Sequence, residues 1–337
     1  MDIFDKKYDI RLASIEDIDD IMAFICDNMN RNHILGNNRD FFEYEHVRGD
    51  KVNFAIARQL SDRQIKGIIG FLYASYSQPK NDIWTVMWMA SENSVPMLGI
   101  RLFDLVRNLP DVRNVLGVGD DKNTTVPIMK LYYKYFTGKL THYYMLSKSL
   151  TFNIANISYI PEKSQLSDNS TSVWEISRDK LRDCFDFTAY THLVPYKDAG
   201  FFEHRYFDHP IYKYIIYGLE DTKNTARKAL MVVREQKKDK SIALRIIDYY
   251  GDECLLNGMN GFWEKQLEKY EYIDFYSLGF DDKIVSSAGF TAVKDNDTNI
   301  VPDYFNPFVS ENIDIYCTGS CYDAHFCKGD ADQDRPS

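Results

Sequence analysis

The chain has 337 residues, of which 45% are hydrophobic and 15% aromatic; this length favours two domains, and this composition excludes general disorder. Fifty Asp and Glu against 40 Lys and Arg give a net charge of −10, so the positive charge typical of nucleic-acid-binding proteins is missing. No apolar run of membrane-spanning length and no signal-peptide pattern occurs, which predicts a cytoplasmic protein whose six cysteines are free thiols.

The first half of the sequence alternates strand and helix patterns. A strand at residues 8–13 is followed by an amphipathic helix that Ser14 caps, and by a short helix at residues 40–47. Next come three strand patterns, VNFAIAR, IKGIIGFLYAS and IWTVMWMAS, and then helix VPMLGIRLFDLVRNL, strand NVLGVGD, helix TVPIMKLYYKYF and strand KLTHYYML. The predicted order is therefore β-α-α-β-β-β-α-β-α-β.

The second half repeats this order after a polar stretch that contains Pro161 and several Ser and Asn. We predict a first domain at residues 1–160, a linker at 161–171 and a second domain at 172–337. The two halves share an order of predicted elements, but not a similar amino-acid sequence.

This order, present twice, resembles the GNAT superfamily of N-acyltransferases in a tandem arrangement. The resemblance implies an α/β fold (α+β, with mixed sheets) of two consecutive GNAT-like acyltransferase domains, with acetyl-CoA or another acyl-CoA as the donor. In that family, the loop after the fourth strand carries Q/R-x-x-G-x-G/A and binds the coenzyme pyrophosphate. The first domain aligns with it from Ser94 through Leu98 to Gly99, but only Gly99 matches, because Met97 stands in place of the first glycine; the second domain offers Gly258 and Gly261 without the expected spacing. The alternative interpretation is that these glycines only form tight turns.

Acyl transfer of this kind needs a base for the acceptor ammonium and an acid for the leaving thiolate. The family pattern L-Y-x-K matches Leu131 to Lys134, which implies Tyr132 as the acid, and Glu92, just past the fourth strand, is a candidate base. The alternative for Tyr132 is a place on an aromatic helix face. Val285 stands at the corresponding position of the second domain, which offers no acid.

A narrower resemblance comes from FFEHRYFDHPIYKY (201–214) and the ending KGDADQDRPS. Both resemble segments of GNAT-type proteins associated with bacterial surface-polysaccharide synthesis, which implies an amino sugar, free or on a nucleotide, as acceptor. In this interpretation Glu203, Arg205 and His209 bind the acceptor, and His204 accepts its proton. Alternatively, Arg205 pairs with a carboxylate and the histidines cap local structure.

The ending also raises the question of metal binding. Asp330, Asp332 and Asp334 alternate as in an EF-hand, but Arg335 stands where that motif needs glycine, and the cysteines nearby lack a C-x-x-C knuckle, so no metal is predicted. Either the ending frays or it folds back over the second domain. In the second case the three carboxylates meet a cationic acceptor, and Arg335 meets a phosphate or an internal carboxylate.

The sequence thus predicts an N-acyltransferase that acts on an amino sugar or sugar nucleotide. Two alternatives stay open: a Fem-type aminoacyl transferase that uses charged tRNA, and a non-catalytic sugar-binding or scaffold protein with degenerate GNAT domains. Neither a nucleic-acid partner nor a membrane span is expected, and the oligomeric state is left open.

Overall fold

The computed structural model describes residues 2–162 and 168–336, and the chain forms two compact units. The first unit is Met1–Gly117 with Arg335–Ser337, and the second is Val118–Asp334. The division therefore falls earlier than the linker predicted at residues 161–171, part of which, residues 163–167, lies outside the described residues.

The strands of the first unit are β1 (Tyr8–Leu12), β2 (Val47–Arg48), β3 (Lys51–Val52), β4 (Phe54–Gln59), β5 (Ile65–Tyr73), β6 (Asn81–Ala90) and β7 (Val112–Val118). The helices of this unit are α1 (Ile3–Lys7), α2 (Ile18–Asn28), α3 (Ile34–Asn37), α4 (Arg39–His46) and α5 (Leu98–Arg107). Its sheet has the order β1-β4-β5-β6-β7, and the pairs are antiparallel except for the parallel pair β6–β7. Strands β2 and β3 form a separate hairpin.

Helix α2 shows how local sequence places these elements. The backbone N–H and hydroxyl of Ser14 both donate to Asp17 (2.8 and 3.0 Å). These hydrogen bonds cap a single 3₁₀ turn that leads directly into α2, as the sequence predicted. Its apolar stripe (Ile18, Ile21, Phe24, Ile25) is fully or nearly buried. The stripe fixes the helix against the sheet.

The strands of the second unit are β8 (Phe136–Lys139), β9 (Thr141–Leu146), β10 (Thr171–Glu175), β11 (Ile215–Asp221), β12 (Lys228–Lys238), β13 (Ser241–Gly251), β14 (Tyr272–Leu278), β15 (Thr291–Ala292), β16 (Tyr316–Gly319) and β17 (Phe326–Cys327). Its main sheet has the order β10-β11-β12-β13-β14-β9-β15, and β17 also pairs with β14. Strands β8 and β16 pair with each other. The helices are α6 (Thr125–Pro127), α7 (Leu181–Cys184), α8 (Ala199–Phe202), α9 (Asn260–Leu267) and α10 (Asp282–Ser287), and π-helical turns extend α6 over Ile128–Tyr133 and α8 over Glu203–Phe207.

Strand β9 accounts for the early division of the chain. The run KLTHYYML was predicted as the last strand of the first domain, but it is interrupted at Leu140. Beyond that residue, β9 pairs antiparallel with β14, from Thr141 opposite Ser277 to Leu146 opposite Tyr272. A strand from the first sequence repeat therefore completes the sheet of the second unit.

Both units have mixed sheets with one parallel pair, β6–β7 in the first and β13–β14 in the second. The predicted α/β class with two consecutive domains is confirmed. Across residues 2–162 and 168–336, no helix combines the length and the apolar character needed to cross a membrane.

Candidate active site

The first unit contains a cleft where two parallel strands separate. Strands β6 and β7 pair only from Asn81–Val112 to Trp84–Leu116, while β6 continues to Ala90. Beyond Trp84, no strand among the described residues pairs with this edge of β6. We name the space beside this unpaired edge of β6 the first cleft. The backbone amides of the edge can hydrogen-bond an extended ligand as a neighbouring strand would.

A bulge shapes the wall of the first cleft. The register between β5 and β6 shifts around Met87, whose φ is +51°, so the strand bends there. Arg335 lies at the bulge, with its Nη1 3.5 Å from the Met87 sulfur and its Nε 2.9 Å from Glu45 on α4. Arg335 thus pairs with an internal carboxylate, one of the two roles that the sequence left open.

The loop after β6 is the predicted pyrophosphate loop. Several of its N–H groups are bonded within the fold: Ser94 donates to Ser91 O (3.0 Å) and Val95 to the Tyr8 hydroxyl (3.0 Å). Met97 occupies the left-handed region (φ 72°), where glycine is favoured. Leu98 and Gly99 open α5, and a Cβ on Gly99 would lie 3.0 Å from the indole nitrogen of Trp88.

A cavity of about 700 Å³ adjoins this loop within the first unit. Its lining includes Lys6 and Lys7 at the end of α1, together with Ser94 and its neighbours. Two ammonium groups beside a loop that leads into a helix N-terminus suit a phosphate-bearing ligand. Glu92, the candidate base, is exposed in the same loop.

The second unit has an equivalent cleft, but residues 326–329 of the chain fill it. Strands β13 and β14 pair only from Leu244–Ile273 to Ile246–Phe275. Beyond this point β17 pairs with β14, and the Gly329 N–H donates to Ile247 O on β13 (2.6 Å). A Cβ at position 329 would lie 2.6 Å from the Tyr206 hydroxyl and 3.0 Å from Ile247 O, so the insertion needs glycine.

Three ion pairs hold the inserted segment. Lys328 contacts Asp303 (2.7 Å), Asp330 contacts Lys197 (2.7 Å), and Asp334 contacts Arg234 (2.5 Å). Burial raises the pKa of Asp330 to about 6, with the Asp248 charge adding to the shift and Lys197 opposing it. Burial also acts to raise the pKa of Asp334, but the Arg234 guanidinium outweighs it and holds that pKa below its usual range.

The aromatic segment 201–214 binds this tail. Arg205 reaches the carbonyls of Gly329 and Ala331 (3.4 Å each), and the Tyr214 hydroxyl donates to Asp334 (2.8 Å). The two sequence features that suggested an acceptor site are therefore partners within the second unit.

Other predicted acceptor residues also have contacts within the fold. Glu203 accepts two hydrogen bonds from Arg182 (2.7 and 2.8 Å), and Nδ1 of His209 accepts from the N–H groups of Ile211 and Tyr212 (3.2 and 2.9 Å). His204 is half-buried in the π-helical turn. His209 thus has the local capping role that the sequence left open.

The remaining candidate residues of the second unit, Gly258, Gly261 and Tyr132, do not belong to the strands or to the tail segment that form the filled cleft. Gly258 is buried against Thr171, and the Gly261 N–H donates to Asn169 (2.6 Å). Tyr132 is 58% exposed on its π-helical turn, beside the ring of Tyr133. Their functional roles stay predictions.

A cavity of about 1040 Å³ in the second unit contains a carboxylate that the sequence analysis missed. Asp120 accepts a hydrogen bond from the Thr318 hydroxyl (2.7 Å). Burial raises the pKa of Asp120 to about 7, the Thr318 hydrogen bond opposes the shift, and the negative charge of Asp332 adds to it. A carboxyl that titrates near neutral pH is suited to accept a proton. The available signal was its position two residues beyond β7, because side chains at the carboxyl ends of parallel strands often form sites.

Comparison with known proteins identifies the fold. No family model matches the sequence, and no curated protein does. A GCN5-related N-acetyltransferase from Anabaena variabilis ATCC 29413 superimposes on 93% of this chain and 72% of its own, with TM-score 0.57 and 10% identity. A conserved protein of unknown function from Enterococcus faecalis V583, a "Probable N-Acyltransferase", covers 93% and 71%, with TM-score 0.55 and 8% identity. The chain has the GNAT fold.

The two clefts occupy equivalent positions in their sheets. Each lies where the parallel pair of its sheet separates, beyond Trp84 in β6 and beyond Ile246 in β13. The clefts differ in one respect: a strand of the chain itself fills the second.

Proposed function

We propose that this protein is an N-acyltransferase that transfers an acyl group, acetyl in the simplest case, from acyl-CoA to the amine of an amino sugar. The observation that carries the proposal is the difference between the clefts. The edge of β6 beyond Trp84 is available in the first unit, whereas β17 and Gly329 fill the second. The donor is therefore assigned to the first unit.

The first cleft suits an acyl-CoA in shape and in charge. The extended pantetheine arm carries amide groups that can bond the backbone edge of β6. Phosphates at the other end of the coenzyme fit the loop of Ser94, Leu98 and Gly99, the N-terminus of α5, and Lys6 and Lys7.

The proposed reaction requires proton transfers that Glu92, in the loop that follows β6, can begin. An acceptor ammonium gives one proton to the Glu92 carboxylate, and the freed amine attacks the thioester carbonyl carbon. The C–S bond then breaks as the amide forms; the nitrogen loses its second proton and the thiolate gains one, so that one proton is released overall. Glu92 is exposed and lies in the same unit as the proposed donor site. His204 as an alternative base, and Tyr132 as the acid, stay proposals.

The acceptor is proposed from the sequence resemblance to surface-polysaccharide enzymes, which favours an amino sugar and a cytoplasmic reaction.

The test is a titration of acetyl-CoA into the full chain, followed by an assay of free thiol with glucosamine as acceptor. The double reversal Lys6→Glu and Lys7→Glu should weaken acetyl-CoA binding at least about tenfold, since each charge-assisted bond to phosphate contributes about 1.5–3 kcal/mol. Lys80→Glu, an exposed lysine outside the cavity lining, is the matched control. Equal affinities for both variants would refute the donor site, and no acetyl-CoA binding would refute the function.

A further inference from the structure

A buried ion pair lies beside the open edge of β6 in the first unit. The Nε and Nη2 atoms of Arg335 each lie 2.9 Å from Oε2 of Glu45, and the two side chains are 7% and 4% exposed. A buried ion pair contributes little net stability, because taking both charges out of water costs about as much as their attraction returns. Stability alone therefore does not account for this pair.

The third nitrogen of the same guanidinium lies at the bulge in β6. Nη1 of Arg335 is 3.5 Å from the sulfur of Met87, the residue whose positive φ marks the bulge. Met87 belongs to the part of β6 beyond Trp84, which pairs with no strand on that edge among the described residues. A thioether sulfur is a weak acceptor, so a carbonyl oxygen at this place would be a stronger partner for Nη1.

The proposed donor brings its thioester to the same part of the edge. Its phosphates are assigned to the loop that contains Ser94 and follows the carboxyl end of β6, so its pantetheine arm runs back along the strand from Ala90 towards Trp84. Three residues of extended strand, about 10 Å, separate Ala90 from Met87. The reacting carbonyl, at the far end of the arm, therefore meets the part of β6 that carries the bulge.

We propose that Arg335 is a catalytic residue of the acyl transfer and that its Nη1 donates a hydrogen bond to the thioester carbonyl oxygen. The amine attacks the carbonyl carbon, and the electron pair of the C=O bond moves to the oxygen. The resulting oxyanion accepts from Nη1 until the C–S bond breaks and the carbonyl forms again, while Arg335 keeps all of its protons. Glu45 holds the guanidinium in place, and such preorganised donors stabilise an oxyanion most strongly where water is excluded. This inference rests on the proposed function.

The test compares the affinity for acetyl-CoA with the rate of thiol release in the full chain. The rate is measured with glucosamine, and also without an acceptor, because hydrolysis of the thioester by water forms the same oxyanion. Arg335→Met leaves Glu45 buried without the guanidinium, so a loss of activity in this variant alone would not distinguish catalysis from folding. The double variant Arg335→Met with Glu45→Gln removes both charges and should recover most of the thermal stability.

The expected result is a separation of rate from binding and from stability. The kcat of the double variant should stay about 10²- to 10³-fold below that of the wild type, the usual effect of losing one oxyanion donor, while its affinity for acetyl-CoA changes less than about threefold. Arg335→Lys should recover only part of kcat, because an ammonium supplies the charge but not the planar fork that reaches both Glu45 and Met87. Arg31→Met, which removes an exposed arginine of the same unit, is the matched control and should change neither quantity.

These measurements separate the inference from the function on which it rests. If the double variant releases thiol as fast as the wild type, Arg335 is not catalytic, and the acyltransferase stands. A kcat that falls only in proportion to thermal stability across the variants would likewise overturn the role of Arg335. If the wild type binds no acetyl-CoA, or releases no thiol with or without glucosamine, the function is refuted together with this role.

Discussion

The substitution Asp334→Asn should release the tail from the second unit. Asp334 is 2% exposed and accepts three hydrogen bonds, two from Arg234 (2.5 and 3.1 Å) and one from the Tyr214 hydroxyl (2.8 Å). Asparagine has a nearly identical shape but carries no charge and only one acceptor oxygen. Arg234, itself 8% exposed, would keep its charge without a counterion.

The expected cost follows from this geometry. Breaking a buried ion pair by removing one partner costs about 3–5 kcal/mol. The lower end of this range applies, because the amide oxygen of the new asparagine can still accept from Tyr214 or Arg234. In addition, the Arg234 guanidinium lies over the Tyr212 ring, 4.1 Å from its centroid. A loss of about 3 kcal/mol makes release of the tail about 100 times more frequent.

Hydrogen exchange of residues 325–334 measures this release directly, because local opening sets the exchange rate of those amides. Asp323→Asn is the control, since it removes an exposed carboxylate of the same segment. The double variant Arg234→Met with Asp334→Leu should recover most of the protection. Equal exchange in Asp334→Asn and the control, or less protection in the double variant than in Asp334→Asn, would refute this reasoning.

Four further predictions concern the clefts and the proposed base. One acetyl-CoA should bind per chain in a calorimetric titration, and a stoichiometry of two would contradict the filled second cleft. Replacing the proposed base, Glu92→Gln, should lower the rate of acyl transfer about 10²- to 10⁴-fold in the free-thiol assay, and an unchanged rate would exclude Glu92 as the base. Met97→Gly should strengthen acetyl-CoA binding in the same titration, and unchanged binding would argue against this loop as the donor site. The thermal stability should change little, because the loss of about 1 kcal/mol of left-handed strain is offset by the greater conformational freedom of glycine in the unfolded chain. Gly329→Ala should lower the free energy of unfolding by about 1–3 kcal/mol through its clash with Tyr206, and an unchanged urea midpoint would show that the tail packs differently.

Local sequence patterns predicted the main strands and helices in their order, but not α1 or the β2–β3 hairpin. Periodicity and the Ser14 cap located α2, and alternating apolar runs located the central strands of both sheets. The pairing of β9 with β14 was beyond such reasoning, because alternation shows that a segment is a strand but not which strand pairs with it. The helix predicted for TVPIMKLYYKYF forms only as a short helix and a π-helical turn, which stops at Lys134 in the left-handed region.

The candidate site residues were harder to predict, for a related reason. The Ser94–Gly99 loop could be proposed because Gly99 and the position of the loop before a helix are visible locally in the sequence. Asp120 was missed because its pKa depends on burial and on Asp332, a residue more than 200 positions away. The roles of Arg205 and Asp334 were likewise invisible, because each contacts residues distant in sequence.

Strand β9 has a consequence for biosynthesis. Both of its neighbours in the sheet, β14 and β15, are translated more than 120 residues later, so a nascent chain carries this Tyr-rich strand with two unpaired edges for much of its synthesis. Expression of residues 1–160 alone would make that exposure permanent and favour aggregation, whereas a fragment that reaches residue 292 supplies both partners. The sheet of the second unit can therefore be completed only after most of the polypeptide has been translated.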